Sequence, residues 1–294
     1  RDPSAPFTWL SAVAARTERL RLGTAIWIAG LHHPVSTYEQ VTPLDQVSGG
    51  RAILGVGAGY RAYEFEGLGV EFERRGRRLD ETLEILRGAW ATGRHGYKGE
   101  VFTIPDLPVH PPAVQRPRPP ILVGGTSPAA IRRAARLGDG WFTLPMETLP
   151  VVRDLADRYR AECAAAGTTP YICLMRQAWV APTLADVDRE WLDKVQRFHR
   201  YYWETGTRGD DRDPVLRRVG EGERVDLETF VRDRAIAGTP ELCAQELRRW
   251  HEAIGFDEVC LIFLAKPVPQ PELDRSVRLF AEEVVTRYDE PAAL

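Results

Sequence analysis

The sequence predicts an α/β fold built on a parallel sheet, on the strength of two observations. Short β-rich runs alternate with longer helical runs along nearly the whole chain, the pattern of parallel strands joined by crossover helices. Several of these short runs carry glycines at or near their ends, at Gly23, Gly55, Gly57, Gly59, Gly124 and Gly125. In βα folds ligands collect at the carboxyl ends of the strands, so those glycines are also the first place to look for function. At 294 residues the chain can bury one sizeable core or two small ones.

Phe7, Leu10, Val13 and Ala14 fall at helical spacing and lead into a strand over 20–29. A second helix starts near Pro34, whose locked φ suits a first turn, and Gly49-Gly50 stops it before a strand at 52–57. Leu79, Leu83, Leu86 and Trp90 mark one face of a long amphipathic helix. Residues 96–104 read as a small hairpin around Lys98-Gly99, and 105–120, with seven prolines, as an extended connector. A strand at 121–123, a helix at 128–137, a strand at 140–144, a helix near 150–165, a strand at 171–180 and a helix at 184–202 come next. The charged, Gly-rich stretch 204–224 is expected to be a mobile insertion over one end of the fold. Thr239-Pro240-Glu241 supplies a hydroxyl cap, a first-turn proline and an acid near the helix N-terminus. That helix carries Cys243, Leu247, Trp250 and Ile254, and a strand at 258–264 and a last helix with Leu273, Val277 and Phe280 complete the chain. Six strands result. A closed (β/α)8 barrel needs eight, so either two strands precede Arg1 or the sheet is open.

Composition excludes several classes of function. A net charge of −3 and a pI near 6.1 give no electrostatic footprint for nucleic acid or an anionic membrane. Cys163, Cys173, Cys243 and Cys260 form no CxxC pair, which fits a reducing compartment and argues against a disulfide framework or a zinc site. No apolar run approaches the length of a membrane span, and the N-terminus lacks a signal pattern, so a cytoplasmic location is expected. His95, His110, His199 and His251 have no metal-ligand spacing, and no nucleophile elbow, phosphate-binding P-loop or zincin motif occurs. No metal is expected, and the sequence leaves the catalytic acid or base unknown.

Four strand ends can carry chemistry. In Gly124-Gly125-Thr126-Ser127-Pro128, two glycines let a ligand approach the backbone, Ser127 can cap, and Pro128 opens a helix whose free N–H groups suit a phosphate; the alternative is a tight turn with nothing bound. Gly55-Val56-Gly57-Ala58-Gly59-Tyr60 resembles a dinucleotide fingerprint but lacks its third glycine and the acid about 20 residues on. It reads better as a strand end left bare for a flat ring. Gly23-Thr24-Ala25-Ile26-Trp27 places a glycine and a polar residue inside an apolar strand, suggesting a bulge, a close ligand approach or a packing glycine. Gly138-Asp139-Gly140 turns into a strand where Trp141 and Phe142 either line a pocket or pack. His32-His33 before Pro34 can serve acid–base chemistry or hold the turn.

Taken in order, these pieces resemble the luciferase-like monooxygenase family of flavin- and deazaflavin-dependent barrel enzymes. The matching blocks are Arg19-Leu20-Arg21-Leu22-Gly23-Thr24, His33-Pro34, Leu44 through Gly49-Gly50-Arg51, Ile53 through Gly59, Phe65 through Gly69 and Arg75-Gly76-Arg77-Arg78-Leu79-Asp80-Glu81. Pro119 through Gly125, Ser127 through Ala130, Arg133 through Trp141 and Gly238-Thr239-Pro240-Glu241 continue the series. Each block is weak alone; their order over almost the whole chain is specific.

The resemblance implies a (β/α)8 barrel in which the six strands are the third through eighth and the first two are expected upstream. It implies that Gly23, Thr24, Ala25 and Ile26 support an isoalloxazine-type ring, with a cis peptide between Ala25 and Ile26. It further implies that Gly57, Ala58 and Gly59 flank the ring and its ribityl chain, and that Gly124, Gly125, Thr126 and Ser127 bind the phosphate. Ala58 stands where bacterial luciferase has an arginine, so the phosphate charge must be met by backbone dipoles or by a neighbour such as Arg61. The cofactor is expected to be FMN, with oxygen as co-reactant, or coenzyme F420, with hydride transfer. Trp27, Tyr60, Trp141 and Phe142 are the candidates for lining a pocket for a small organic substrate. A homodimer is expected, as is a separate flavin reductase where FMN is used. Two other classes remain open from sequence: an NAD(P)-dependent dehydrogenase resting on 55–59, and a non-catalytic barrel relative.

Overall fold

In the computed structural model, residues 5–205, 213–263 and 268–289 are described. The chain divides into two compact units, Arg1–Phe142 with Arg158–Tyr171, and Thr143–Asp157 with Ile172–Leu294. In both, parallel strands are joined through helices, the α/β class expected from the alternation of short and long runs.

The first unit is built around β1 (Leu22–Gly23), β2 (Trp27–Ile28) and β3 (Ala52–Gly57), a hairpin of β4 (Tyr97–Lys98) and β5 (Thr103–Ile104), then β6 (Ile121–Gly124) and β7 (Gly140–Phe142). The strand expected over 20–29 is thus two pieces. Leu22 pairs with Ala52 and Trp27 with Val56, so five steps on one strand face four on β3. One extra residue is therefore accommodated within Thr24–Ile26, and that misfit is a bulge. β3 pairs with β6 and β6 with β7, all parallel. Leu54, Val56, Ile121 and Val123 are fully enclosed, as β-branched and aliphatic runs in a two-sided sheet must be. The strand expected at 140–144 stops at Phe142.

Helices Pro34–Ser48, Arg75–Thr92 and Pro128–Leu137 lie where proline starts, glycine stops and the apolar spacing put them. Gly49 and Gly93 end the first two in the left-handed conformation that glycine alone enters without steric cost. Leu79, Leu83 and Leu86 bury the inner face of the second. Two buried carboxylates pin the irregular segments. Asp45 accepts hydrogen bonds from Val114 N (2.7 Å), Gln115 N (3.0 Å) and Gln115 Nε2 (2.7 Å), which holds the proline-rich connector. Glu81 accepts from Glu100 N, Val101 N and Phe102 N at 2.8–3.2 Å and fastens the hairpin turn.

The second unit contains β8 (Ile172–Val180), β9 (Ala235–Gly238) and β10 (Glu258–Ile262). β10 runs parallel to Cys173–Gln177, and β9 runs parallel to Gln177–Val180. β9 was not foreseen: its four residues, Ala-Ile-Ala-Gly, abut the cap Thr239 and are too short for a periodic signal. It is an addition to the six expected strands, all of which are present. The helix Pro240–Ile254 has the expected Thr239 cap and packs Trp250 beneath Arg176, whose guanidinium lies 3.9 Å from the ring centroid. Trp179, Trp191, Val195, Val219 and Phe230 form a separate apolar cluster. Within the stretch expected to be a mobile insertion, Pro214–Gly220 is helical with Leu216 and Val219 buried, and 206–212 lie outside the described residues.

Candidate functional site

Every residue assigned to a cofactor from sequence falls in the first unit, at the carboxyl ends of β1/β2, β3 and β6. The bulge forms its floor. Thr24 Oγ1 donates to the Gly55 carbonyl at 2.7 Å, and a Cβ on Gly55 would stand 2.0 Å from the Thr24 carbonyl oxygen. Only glycine permits that approach. The peptide between Ala25 and Ile26 is cis, as the resemblance implied. Beyond it Ile26 lies across two strands: a Cβ on Gly57 would meet its Cδ1 at 2.2 Å, and one on Gly124 at 3.5 Å.

This arrangement revises the part assigned to the glycines. Gly55, Gly57 and Gly124 are buried, and Gly57 and Gly124 lie beneath Ile26. They admit the bulge instead of offering their own backbone to a ring. The apolar shelf left accessible is Ile26 itself, with Ala25 and Gly23 exposed beside it and Ala58 and Gly59 partly open at the end of β3. The dinucleotide reading of 55–59 fails on the same geometry, because those glycines open no long helix: the next helix, Ala62–Glu66, is five residues long.

The phosphate turn is built from β6 into the helix Pro128–Leu137. Gly125 has φ +141°, and a Cβ there would lie 2.6 Å from that of Ala130, so the position requires glycine. Ser127 Oγ accepts from Ala130 N at 3.2 Å and Ile131 N bonds the Ser127 carbonyl, which leaves the Ala129 N–H without an intrahelical acceptor. Pro128 contributes no N–H. The Gly125 carbonyl, the group that would repel an anion, is drawn away by the indole N–H of Trp141 at 2.9 Å. Positive backbone potential and partly exposed Gly125, Thr126 and Ser127 therefore fit a phosphate group. The helix is braced from outside: Arg133 bonds Asp80 at 2.5 Å and the Gly76 carbonyl at 3.1 Å.

The four candidate pocket aromatics separate. Trp141 is fully enclosed and packs on Tyr159, 5.8 Å between centroids, so it positions the phosphate turn and does not line an open pocket. Phe142 is buried, and Trp27 is buried between Phe7 (5.1 Å) and His32, which stacks on it at 3.8 Å. Tyr60 alone is open, at 42% exposure, with the Arg61 guanidinium 5.0 Å over its ring. Arg61 also pairs with Glu64 at 3.2 Å.

The surroundings of the histidine pair favour the neutral imidazole. Burial lowers the pKa of His32; burial and then Arg78 lower that of His33, with Glu39 opposing. His33 Nδ1 accepts from Val35 N at 3.3 Å, capping its helix. Sequence inspection missed the braces. Arg78 donates to the Gly30 carbonyl at 2.9 Å, and Arg51 reaches the carbonyls of Ala14, Thr17, Leu20 and Ser48. The arginine-bearing blocks signalled importance but not which carbonyls they hold. Among the described residues no group of three or more His, Cys, Asp or Glu is placed to hold a metal ion, and no helix is long and apolar enough to cross a membrane.

Bulge, Ile26 shelf and capped helix N-terminus lie at one sheet end, an arrangement whose shape and backbone potential fit a flat ring bearing a phosphate. Residues 1–258 match the family model for luciferase-like monooxygenases, and the chain belongs to that family. It is 33% identical over 159 residues to the FMNH(2)-dependent dimethylsulfone monooxygenase of Pseudomonas putida, covering 53% of this chain and 43% of that protein. The chain spans about half the length of the curated relatives it matches. Among solved structures it resembles monooxygenase RslO1 from Streptomyces bottropensis, with TM-score 0.75, 26% identity, and coverage of 96% of this chain and 83% of that one. The coenzyme F420-dependent tetrahydromethanopterin reductase of Methanopyrus kandleri superposes with TM-score 0.78 at 17% identity, over 97% of this chain and 88% of that one. The fold is that of the luciferase-like barrel enzymes.

Proposed function

We propose that this chain is a flavin- or deazaflavin-dependent oxidoreductase that binds FMN or coenzyme F420 and acts on a small organic substrate. The observation that carries this reading is the turn Gly124–Ser127, with its carbonyl withdrawn by Trp141 and a capped helix N-terminus behind it, on the same sheet end as the Ile26 shelf. Gly125, Thr126, Ser127 and the Ala129 N–H would hold the phosphate, and Gly23, Thr24, Ala25 and Ile26 would support the ring. Ala58 and Gly59 would flank it, with Gly57 beneath. When bound, reduced FMN supplies two electrons for activating oxygen, and a deazaflavin supplies hydride.

The chain's own contribution is positioning. Thr24, locked to Gly55, fixes the height of the shelf; Ile26 keeps water from one side; Arg133 and Asp80 keep the helix N-terminus aimed. Tyr60 is the open aromatic that would meet a substrate. The relatives support both cofactors: one is described as FMNH(2)-dependent and another as F420-dependent.

Titration of the full-length protein with FMN, reduced FMN and F420, followed by flavin fluorescence, tests the proposal. Saturable binding of one of them is expected, and binding of none overturns it. Redox turnover would exclude a non-catalytic relative. A homodimer, a flavin reductase partner if FMN is used and a cytoplasmic location complete the proposal; sedimentation tests the first of these.

A further inference from the structure

A cleft of about 380 Å³ lies in the first unit away from the cofactor site. It is lined by Arg87, Arg118, Arg136, Asp139, Tyr159 and the Thr168-Thr169 pair. Arg118 and Asp139 precede β6 and β7, so the cleft is at the amino ends of the strands whose carboxyl ends carry the phosphate turn. The ten-residue helix Pro128–Leu137, about 15 Å long, separates the two.

Three guanidinium groups face one carboxylate. Asp139 is already committed: its Oδ1 pairs with Arg118 at 2.6 Å and its Oδ2 accepts from Ile121 N at 2.8 Å. Arg87 donates one N–H to the Leu137 carbonyl at 2.9 Å, using one of five donors. Neither Arg87 nor Arg136 has an ion-pair partner among the described residues, and Arg118 Nε is buried with no hydrogen-bond partner there. Burial, then the neighbouring Arg118, pulls the pKa of Arg87 below its usual range, with Asp139 opposing. A protein with a formal charge of −3 thus concentrates uncompensated cations in one concave place.

We propose that this cleft is a second anion site, taking the phosphomonoester group of a small metabolite. Guanidinium forks match phosphate oxygens in pairs, and the Thr169 hydroxyl can complete the set, the Thr168 hydroxyl being given to the Ala135 carbonyl at 2.9 Å. The volume is at the low end of small-molecule sites and exceeds what the phosphate alone would fill. Cofactor binding at the Gly124–Ser127 turn is a separate matter, and the proposal stands or falls without it.

Isothermal titration of the full chain with inorganic phosphate, at ionic strength held constant with chloride, tests it. Arg136→Gln and Arg87→Gln remove cleft cations, and Gly125→Ala disturbs the cofactor turn. The expected result is a class of saturable phosphate sites weakened at least tenfold in Arg136→Gln and Arg87→Gln and retained in Gly125→Ala. The exposed Arg136 side chain makes its variant safe for folding. Titrations that superimpose for wild type and both arginine variants, binding lost only in Gly125→Ala, or no saturable binding would each overturn it. Succinate binding as tightly as phosphate would overturn the assignment to phosphate.

Discussion

Replacing Gly125 by alanine separates the phosphate turn from the rest of the site. The position has φ +141°, outside the range that a side chain tolerates, at a cost of about 1–3 kcal/mol. The new methyl would stand 2.6 Å from Ala130 Cβ, and relieving that overlap costs roughly another 1–3 kcal/mol. The sum, roughly 2–6 kcal/mol, is a large share of the 5–15 kcal/mol or so that keeps a domain folded. Part of it will be relieved by tilting the turn, which moves the Ala129 N–H and frees the Gly125 carbonyl from Trp141. Losing one charge-assisted bond, worth about 1.5–3 kcal/mol, should weaken a phosphate-bearing cofactor roughly ten- to a hundredfold. Riboflavin has the ring of FMN and no phosphate, so its affinity should change less than about threefold, the scale of a small indirect shift. The assay is a fluorescence-quenching titration with both ligands, beside urea denaturation of the same variant. Should Gly125→Ala prove too unstable, Ser127→Ala removes the cap for about 1 kcal/mol and tests the same turn. Equal losses for FMN and riboflavin, or no loss for either, would refute the assignment of this turn to phosphate.

Three further outcomes are expected. Gly55→Ala meets backbone at the Thr24 carbonyl, 2.0 Å away, and should cost at least about 3 kcal/mol or abolish folding; Gly57→Ala meets only the Ile26 methyl end and should cost less than half as much in urea denaturation. Glu81→Gln replaces an acceptor of three backbone N–H groups and should lose about 1–3 kcal/mol, with faster hydrogen exchange at Glu100, Val101 and Phe102. Burial alone would raise the pKa of Glu81, but the N–H groups of Phe102, Glu100 and Val101 together with Arg77 bring it below its usual value; that stabilisation is present above the ordinary carboxylate pKa and is lost as pH falls below it. His199 is buried with its pKa lowered to about 3, by desolvation first and Arg234 second. The unfolded chain takes up that proton near pH 6.5, so stability is full above that value and should fall by about 2 kcal/mol at pH 5. His199→Gln should flatten the decline; an unchanged slope would mean that other groups produce it.

The strands and helices were legible wherever a periodic pattern was long enough to read, and the exceptions have physical causes. The helix Arg75–Thr92 shows its apolar stripe, Leu79 to Trp90, over about three turns, and proline starts and glycine stops bound the helix Pro34–Ser48. β9 escaped because Ala235–Gly238 pairs with the far half of β8 without an alternating pattern of its own. The strand over 20–29 was read as continuous because Thr24 and Ala25 are compatible with a strand locally; the break comes from pairing against β3, a nonlocal fact. Within the site the residue set was readable but not the depth. Nothing local distinguishes a glycine that faces a ligand from one that admits Ile26, and nothing local turns the Trp141 indole towards Gly125 in place of a pocket.

The blocks that mark the family in this sequence turn out mostly to hold backbone in place. Arg51 gathers four carbonyls, Arg78 holds Gly30, Asp80 holds Arg133, Glu81 holds the hairpin, Asp139 ties Arg118 to the start of β6, and Trp141 holds Gly125. None of these groups is free to do chemistry on a substrate, since each is spent on a carbonyl, an N–H or an ion pair. Their job is to place a bulge and a helix N-terminus at fixed heights on one sheet end. Under the proposed function, a scaffold of that kind would be indifferent to whether the ring carries a flavin or a deazaflavin nitrogen pattern. The choice between them must therefore rest on residues that the signature leaves unconstrained, and at the open edge of this site those are Ala58, Tyr60 and Arg61. Exchanging Ala58 for arginine adds a cation beside the end of β3. If that edge sets the preference, the substitution should change the ratio of FMN to F420 affinity while leaving the urea midpoint in place.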